Sequence, residues 1–283
     1  MITAKELSFT YPGQSTAAVN NISFSVNQGE IFGFLGPSGA GKSTTQKILI
    51  RLLKGYSGTA MINGRELNQL TQDYYNQVGV GFELPNHYPR LTALENLQFF
   101  ASFYRNKNTN LMELLEMAGL QDEAQKPTSS FSKGMKMRLN FIRALVHDPD
   151  ILFLDEPTSG LDPVNARKLK NIILDLRSRG KTIFLTTHNM HDADELCNCV
   201  AFITRGKINL IDSPRNLKLR HGTRKLKLEY GNGETQLKEF PLDNLGSNDE
   251  FLRIINHQYI QSIHSTEATL EDIFIKTTGE SLS

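Results

Sequence analysis

The chain has no tryptophan and only two cysteines, Cys197 and Cys199, in 283 residues. Thiols one residue apart rarely close a structural disulfide, so a reduced chain is expected. A zinc site needs about four suitable ligands. His188 and His191 lie close enough in sequence to be considered, but His188 has a better use below. Long apolar runs are missing as well. Residues 151–154 make only a strand's length, far below the roughly 18–20 residues that cross a bilayer. The first eleven residues alternate polar and apolar and lack a signal peptide's layout. A soluble chain with at most a peripheral membrane role is therefore expected. Charge of one sign is also lacking: the formal net charge is +1, which argues against a protein that coats nucleic acid. Against these absences, 39% apolar and 22% charged residues permit a packed core and argue against disorder.

Hydrophobic periodicity divides the chain. Residues 7–9 and 22–26 alternate in period two, as in an antiparallel edge sheet, whereas 31–35 is nearly continuous, as in a strand buried on both faces. Helical spacing follows over 43–53, 92–120 and 132–147, the last stopped by Asp148-Pro149. Strands at 151–154, 182–186 and 200–203 then alternate with helices at 163–178 and 190–196, which predicts a parallel sheet. The all-helical block 92–147 interrupts that alternation and predicts a helical subdomain beside the sheet. Beyond Leu219 the texture changes. Strands at 225–230 and 235–240 flank Gly231-Asn232-Gly233, and a helix near 249–256, a strand near 260–264 and a helix at 270–277 follow. The expected division is 1–219 for the main α/β domain and 220–283 for a small α+β appendage.

Gly36-Pro37-Ser38-Gly39-Ala40-Gly41-Lys42-Ser43 fits G-x-x-x-x-G-K-[ST] after an apolar strand and at the start of a helix. Its glycines let the backbone N–H groups face phosphates, and the helix N-terminus favours the anion. Lys42 is expected to reach the β- and γ-phosphates, Ser43 to ligate Mg²⁺, and Thr44 to complete the nucleotide contacts. A plain glycine turn before a helix is the bland alternative. The run 151–154 ends in Asp155-Glu156, at the carboxyl edge of the sheet where ligands of open α/β sheets bind. Asp155 is expected to hold Mg²⁺ through water and Glu156 to polarise the attacking water. Such pairs often merely cap helices; beside a phosphate loop the catalytic reading is favoured.

These motifs indicate a P-loop NTPase. Phe131-Ser132-Lys133-Gly134-Met135 resembles the LSGGQ signature of ABC ATPases, Ser159-Gly160-Leu161-Asp162 resembles their D-loop, Thr186-Thr187-His188 their switch histidine, and Tyr11 their adenine-stacking aromatic. The resemblance is ordered and covers about residues 2–219. It implies that two copies face each other head to tail, with Ser132 and Gly134 of one on the γ-phosphate held by the other. It also implies that His188 contacts that phosphate and the attacking water, and that Asp162 joins the two sites. Without the motifs, His188 would read as a polar residue at a strand end.

Two departures from the family pattern stand out. Aligning Tyr88-Pro89 and Leu91-Thr92 puts Glu83 where the family has glutamine; a carboxylate there can ligate Mg²⁺, unless the loop is shifted and Glu83 simply faces solvent. Lys133 and Met135 replace a glycine and a glutamine of the signature, a wording closer to the exporter branch than to nutrient importers. The Leu270-Glu271-Asp272-Ile273-Phe274 tail resembles that of drug, antibiotic and glycoconjugate exporters, though Leu270, Ile273 and Phe274 equally suit plain core packing. The resemblance thus implies an ATP-hydrolysing subunit, of exporter type, on the cytoplasmic face of the cell membrane. Its partners would be a second ATPase copy (identical or paralogous) and polytopic membrane permease subunits, with no nucleic acid. A soluble ABC ATPase of translation or DNA repair is the alternative; those usually carry two ATPase units or a coiled-coil insertion, and neither is seen.

Overall fold

Alternating burial along residues 2–9 and 19–26 builds an antiparallel sheet on one side of the N-terminal unit. In the computed structural model, which describes residues 2–105, 109–222 and 224–281, β1 (Ile2–Phe9) pairs with β2 (Val19–Val26) and with β4 (Ser57–Ile62). The short β5 (Arg65–Glu66) extends β4, giving the order β2-β1-β4-β5. Gly58, at φ +85, lies where a Cβ would fall 2.3 Å from the Glu6 carbonyl oxygen, so only glycine lets these strands approach across their register shift.

The second sheet holds six strands in the order β10-β9-β3-β8-β7-β6. They are β3 (Ile31–Leu35), β6 (Val78–Gly81), β7 (Ile151–Asp155), β8 (Thr182–Thr187), β9 (Cys199–Thr204) and β10 (Lys207–Asp212). Pairing is parallel throughout except for β10, which returns antiparallel on β9. β3, β7 and β8 are buried at every residue, as the continuous apolar runs require. Phe24 of the antiparallel sheet packs on Phe32, Phe34 and Phe184 of the parallel one, with centroids 5.5, 5.5 and 5.9 Å away. Such pairs add about 0.5–1.5 kcal/mol each beyond their burial. This aromatic layer fixes the two sheets face to face and thereby the height of the loops at their carboxyl ends.

Helices α1 (Lys42–Leu49), α5 (Pro163–Ser178) and α6 (Met190–Leu196) follow β3, β7 and β8. The expected helix over 43–53 ends four residues early, because Arg51 adopts φ +62 and turns the chain. The block 92–147 contains α2 (Ala93–Ala101), α3 (Leu111–Met117) and α4 (Lys133–Arg143), with two short 3-10 turns between α3 and α4, so the single periodic stretch 92–120 is in fact two helices. Thr92 and Glu95 form a capping box that sets the start of α2.

The C-terminal unit spans residues 213–281. The expected boundary at 219/220 lies seven residues later. The difference arises because Ser213 caps an unforeseen helix, α7 (Pro214–His221), which packs on α9 (Leu270–Thr278). Between them β11 (Lys225–Tyr230) pairs with β12 (Gln236–Pro241) and β13 (Ile260–Thr266), and α8 (Asp249–His257) covers one face. Leu226, Leu228, Phe240, Phe251 and Ile254 make that core. Gly231 and Gly233, both at φ +120, turn the hairpin as the sequence pattern requires.

Candidate functional site

The continuous run of β3 carries the chain to the sheet edge, and the glycine loop curls there before α1. Gly39 and Gly41 adopt φ +79 and +109, conformations that side chains with a Cβ rarely hold. Gly36 has a different constraint: a Cβ on it would lie 2.1 Å from the Ile203 carbonyl oxygen of β9. A pocket of about 270 Å³ opens over this loop, with Ser38, Lys42, Ser43 and Thr44 on one wall and Glu83, Asp155, Glu156 and His188 on the other. Ala40 is buried behind it.

Lys42 is buried and donates to the loop's own carbonyls, 2.6 Å to Gly36 O and 3.0 Å to Pro37 O. Burial lowers its pKa below the ordinary ammonium value; Glu156, Asp155 and Glu83 oppose that shift in this order. An ammonium facing three carboxylates, at the N-terminus of a helix, is suited to an anion carrying its own metal.

The register of β7 against β8 arranges the acids. Asp155 lies opposite Thr186, whose hydroxyl donates to Asp155 Oδ1. Ser43 Oγ donates to the same oxygen at 3.4 Å. One step on, Glu156 adopts φ +48, a left-handed conformation costing roughly 1–2 kcal/mol. Its carboxylate is buried and held at three points: Thr187 Oγ1 donates at 2.8 Å, the His188 N–H at 2.9 Å, and His188 Nδ1 lies 2.7 Å away. The His188 ring itself is half exposed. Thr186 and Thr187 are thus site residues that sequence reasoning did not single out. Their signal was the Thr-Thr pair ending a strand, legible only once β8 is registered on Asp155-Glu156.

Ser43, Asp155 and the exposed Glu83 present hydroxyl and carboxylate oxygens to one pocket, a donor set of the type Mg²⁺ takes. Tyr11 packs edge-on against Phe9 at 5.0 Å, and its hydroxyl lies 3.2 Å from Thr44 Oγ1, beside the loop.

Ser132, Gly134 and Asp162 do not line this pocket. Ser132 caps α4 by accepting from the Met135 N–H at 3.2 Å, and Gly134 lies in the first turn of that helix. Asp162 caps α5, accepting from the Val164 and Asn165 N–H groups, both at 3.1 Å. The Asn165 side chain and backbone hold its carboxyl below the usual range. The two caps are neighbours: a Cβ on Gly160 would lie 2.7 Å from Lys133 Cε, and one on Gly134 3.6 Å from Leu161 Cδ2. The substituted Lys133 therefore lies across the 159–162 turn.

Among the described residues neither cysteine belongs to a cluster of metal-ligating side chains. Cys197 is buried, and burial raises its thiol pKa; burial also raises that of Cys199 to about 11. The nearby His191, Asp192 and Glu195 cluster is already bridged by Lys170, which pairs with both acids.

Known proteins resemble this chain in sequence and fold. Residues 19–159 match the ABC transporter family model, and residues 224–267 match the fluoroquinolone efflux ABC transporter C-terminal domain. A fluoroquinolones export ATP-binding protein of Mycobacterium tuberculosis is 50% identical, over 100% of this chain and 95% of that protein. The bacitracin transport ATP-binding protein BcrA of Bacillus licheniformis is 39% identical over 69% of this chain and 64% of that protein. Among solved structures, a dimeric post-hydrolysis state of the ATP-binding cassette MJ0796 bound to ADP and Pi superimposes with a TM-score of 0.69 and 28% identity, over 75% of this chain and 98% of that one. The chain belongs to the ABC transporter family, as one of its ATP-binding, ATP-hydrolysing subunits.

Proposed function

We propose that this subunit works as one of a head-to-tail pair beneath separate polytopic membrane subunits and drives export of amphiphilic drug-like compounds, fluoroquinolones among them. The observation that carries this reading is the split of the expected ATP contacts into two sets on one chain. The phosphate loop, Glu83, Asp155, Glu156 and His188 share a pocket, whereas Ser132, Gly134 and Asp162 lie outside it. A second copy supplies the missing set. The export direction and drug class rest on likeness to the mycobacterial relative, which extends through the C-terminal unit.

In this reading the N–H groups of the phosphate loop and the N-terminus of α1 bind the β- and γ-phosphates. Lys42 leaves the Gly36 and Pro37 carbonyls for phosphate oxygens. Tyr11 stacks on the adenine, and Thr44 adds a hydroxyl to the phosphate contacts. Ser43, Glu83 and, through water, Asp155 would hold Mg²⁺, which when bound would neutralise charge on the phosphates. Glu156 takes a proton from the attacking water, and Thr187 and the His188 N–H fix its carboxylate while it does so. His188 contacts the γ-phosphate, and Ser132 and the Gly134 N–H of the twin close over it at the N-terminus of α4. Asp162 links the paired sites. Docking onto the membrane subunits uses the groove near residues 83–97, which places the protein peripherally on the cytoplasmic face.

The test is affinity purification from detergent-solubilised membranes. Co-purification of a six-span membrane protein, with fluoroquinolone accumulation rising when Lys42 is replaced by Ala, is expected. Recovery of ribosomes or DNA instead would favour the soluble translation or repair class.

A further inference from the structure

Asp192 lies in α6, is buried, and belongs to none of the motifs above. Both of its carboxylate oxygens are engaged. Lys170 of α5 pairs with Oδ1 at 3.0 Å, and the Thr158 hydroxyl donates to Oδ2 at 2.6 Å. Lys170 also pairs with Glu195, further along α6, so its ammonium is held by two acids of that helix. A buried ion pair is a poor device for stability alone, because desolvation offsets its Coulomb attraction. What this pair specifies is direction: with Oδ1 taken by Lys170, Oδ2 is presented to Thr158.

Thr158 stands two residues beyond Glu156, in the segment that leads to Asp162. The Ser159 N–H donates to the Glu156 carbonyl at 3.1 Å and the Leu161 N–H to the Thr158 carbonyl at 3.2 Å, which folds the segment into two successive turns. Among the described residues, the Thr158 hydroxyl makes the only side-chain hydrogen bond from residues 157–161 to another element. The start of α6 also holds the base. The Asp192 N–H donates to Asn189 Oδ1 at 3.1 Å, the Asn189 N–H to Thr187 Oγ1 at 3.0 Å, and Thr187 Oγ1 to Glu156 at 2.8 Å. The path closes on itself: from Glu156 through Thr187, Asn189 and Asp192 to Thr158, and back along the chain. Displacing residues 188–189 therefore moves the base and the 158–162 turn together.

We infer that Asp192 is a positioning residue: it ties the 158–162 turn to α6, so that His188, on meeting the γ-phosphate, carries Asp162 with it. The inference rests on the head-to-tail reading above, in which Asp162 links the paired sites. Neither Asp192 nor Thr158 lines the nucleotide pocket, so the tether acts on turnover and not on the capture of ATP by its own subunit. Its loss resembles the loss of Asp162 itself.

The experiment measures steady-state turnover and equilibrium ATP binding by the full chain carrying Thr158→Val, which removes the tether and leaves the Lys170–Asp192 pair in place. The kcat should fall about tenfold, the order expected when one hydrogen bond to a buried charge no longer aims a working group. KM and ATP affinity should stay at wild-type values, and Thr158→Ser should recover kcat. Combining Thr158→Val with Asp162→Ala should add little to the loss from Asp162→Ala alone, since both act through one turn. Wild-type kcat in Thr158→Val while Asp162→Ala is impaired, or losses that multiply in the double variant, would overturn the tether and leave the head-to-tail reading standing. An equal loss of ATP affinity and turnover would also overturn it, by giving Thr158 a part in its own pocket. Wild-type kcat in Asp162→Ala would remove the head-to-tail role of Asp162, and the tether with it.

Discussion

Replacing Thr187 by Val removes one hydroxyl from a fully packed position without changing its shape. That hydroxyl donates to Glu156 Oε2 at 2.8 Å and accepts from the Asn189 N–H at 3.0 Å. The first bond is the more valuable, because its acceptor is a buried carboxylate; hydrogen bonds to charged groups contribute about 1.5–3 kcal/mol. The second is replaceable by water, since Asn189 is exposed. A loss of about 2 kcal/mol in unfolding free energy is expected for Thr187→Val, which for a unit of this size lowers Tm by roughly 4–8 °C. Circular dichroism in urea is the suitable assay, as the chain has no tryptophan to report by fluorescence. ATP turnover should fall about tenfold with KM nearly unchanged, because the carboxylate loses one of the groups that aim it. Thr187→Ser should recover both properties. A Val variant that unfolds at the wild-type urea concentration and turns over at the wild-type rate would refute the positioning role.

Glu83→Gln keeps an oxygen ligand but removes a charge, so half-maximal activation should require several-fold more Mg²⁺; an identical Mg²⁺ titration would dissociate Glu83 from the metal. His87, neutral in the fold, has its pKa lowered by burial from 6.5 to about 4. Its depressed pKa makes its contribution complete above pH 6.5 and lost as pH falls towards 4, amounting to at most about 3 kcal/mol. His87→Gln should therefore flatten the stability curve in that window, and parallel curves measured by urea unfolding would contradict the burial argument. Gly36→Ala forces a Cβ against the Ile203 carbonyl and should cost about 1–3 kcal/mol, together with nucleotide affinity; wild-type stability would show that β9 yields more easily than its buried position suggests.

The phosphate loop was legible because its glycines, its lysine and the flanking apolar strand form one local pattern. The parallel sheet was legible because strands buried on both faces have nearly continuous apolar runs. What escaped was non-local or locally ambiguous. β4 belongs to the edge sheet only through pairing with β1 and β5 only through pairing with β4, and β10 starts with lysine, ends with aspartate and carries an asparagine between its apolar residues. Leu52 and Leu53 continued a helical pattern that the backbone of Arg51 interrupts. α7 is mostly polar, with Pro214 and Leu217 as its buried residues, so its amphipathic signal is weak. Thr186 and Thr187 gain meaning from residues 31 positions earlier, across a strand pair. Glu83 could be aligned only by its downstream neighbours, yet its side chain faces the same pocket as Lys42.

The central claim is that ATP is enclosed between the phosphate loop of one copy and the Ser132 turn of another, with Glu156 as the base. Sedimentation of Glu156→Gln with ATP and Mg²⁺ tests it most directly. This substitution keeps the fold and the nucleotide contacts but should lower turnover by about 10²–10⁴-fold. It should convert the subunit to a stable dimer carrying two ATP molecules, and adding Ser132→Arg should return it to a monomer that still binds ATP. A Glu156→Gln protein that binds ATP yet stays monomeric at every concentration, or hydrolyses it at the wild-type rate, would contradict the account.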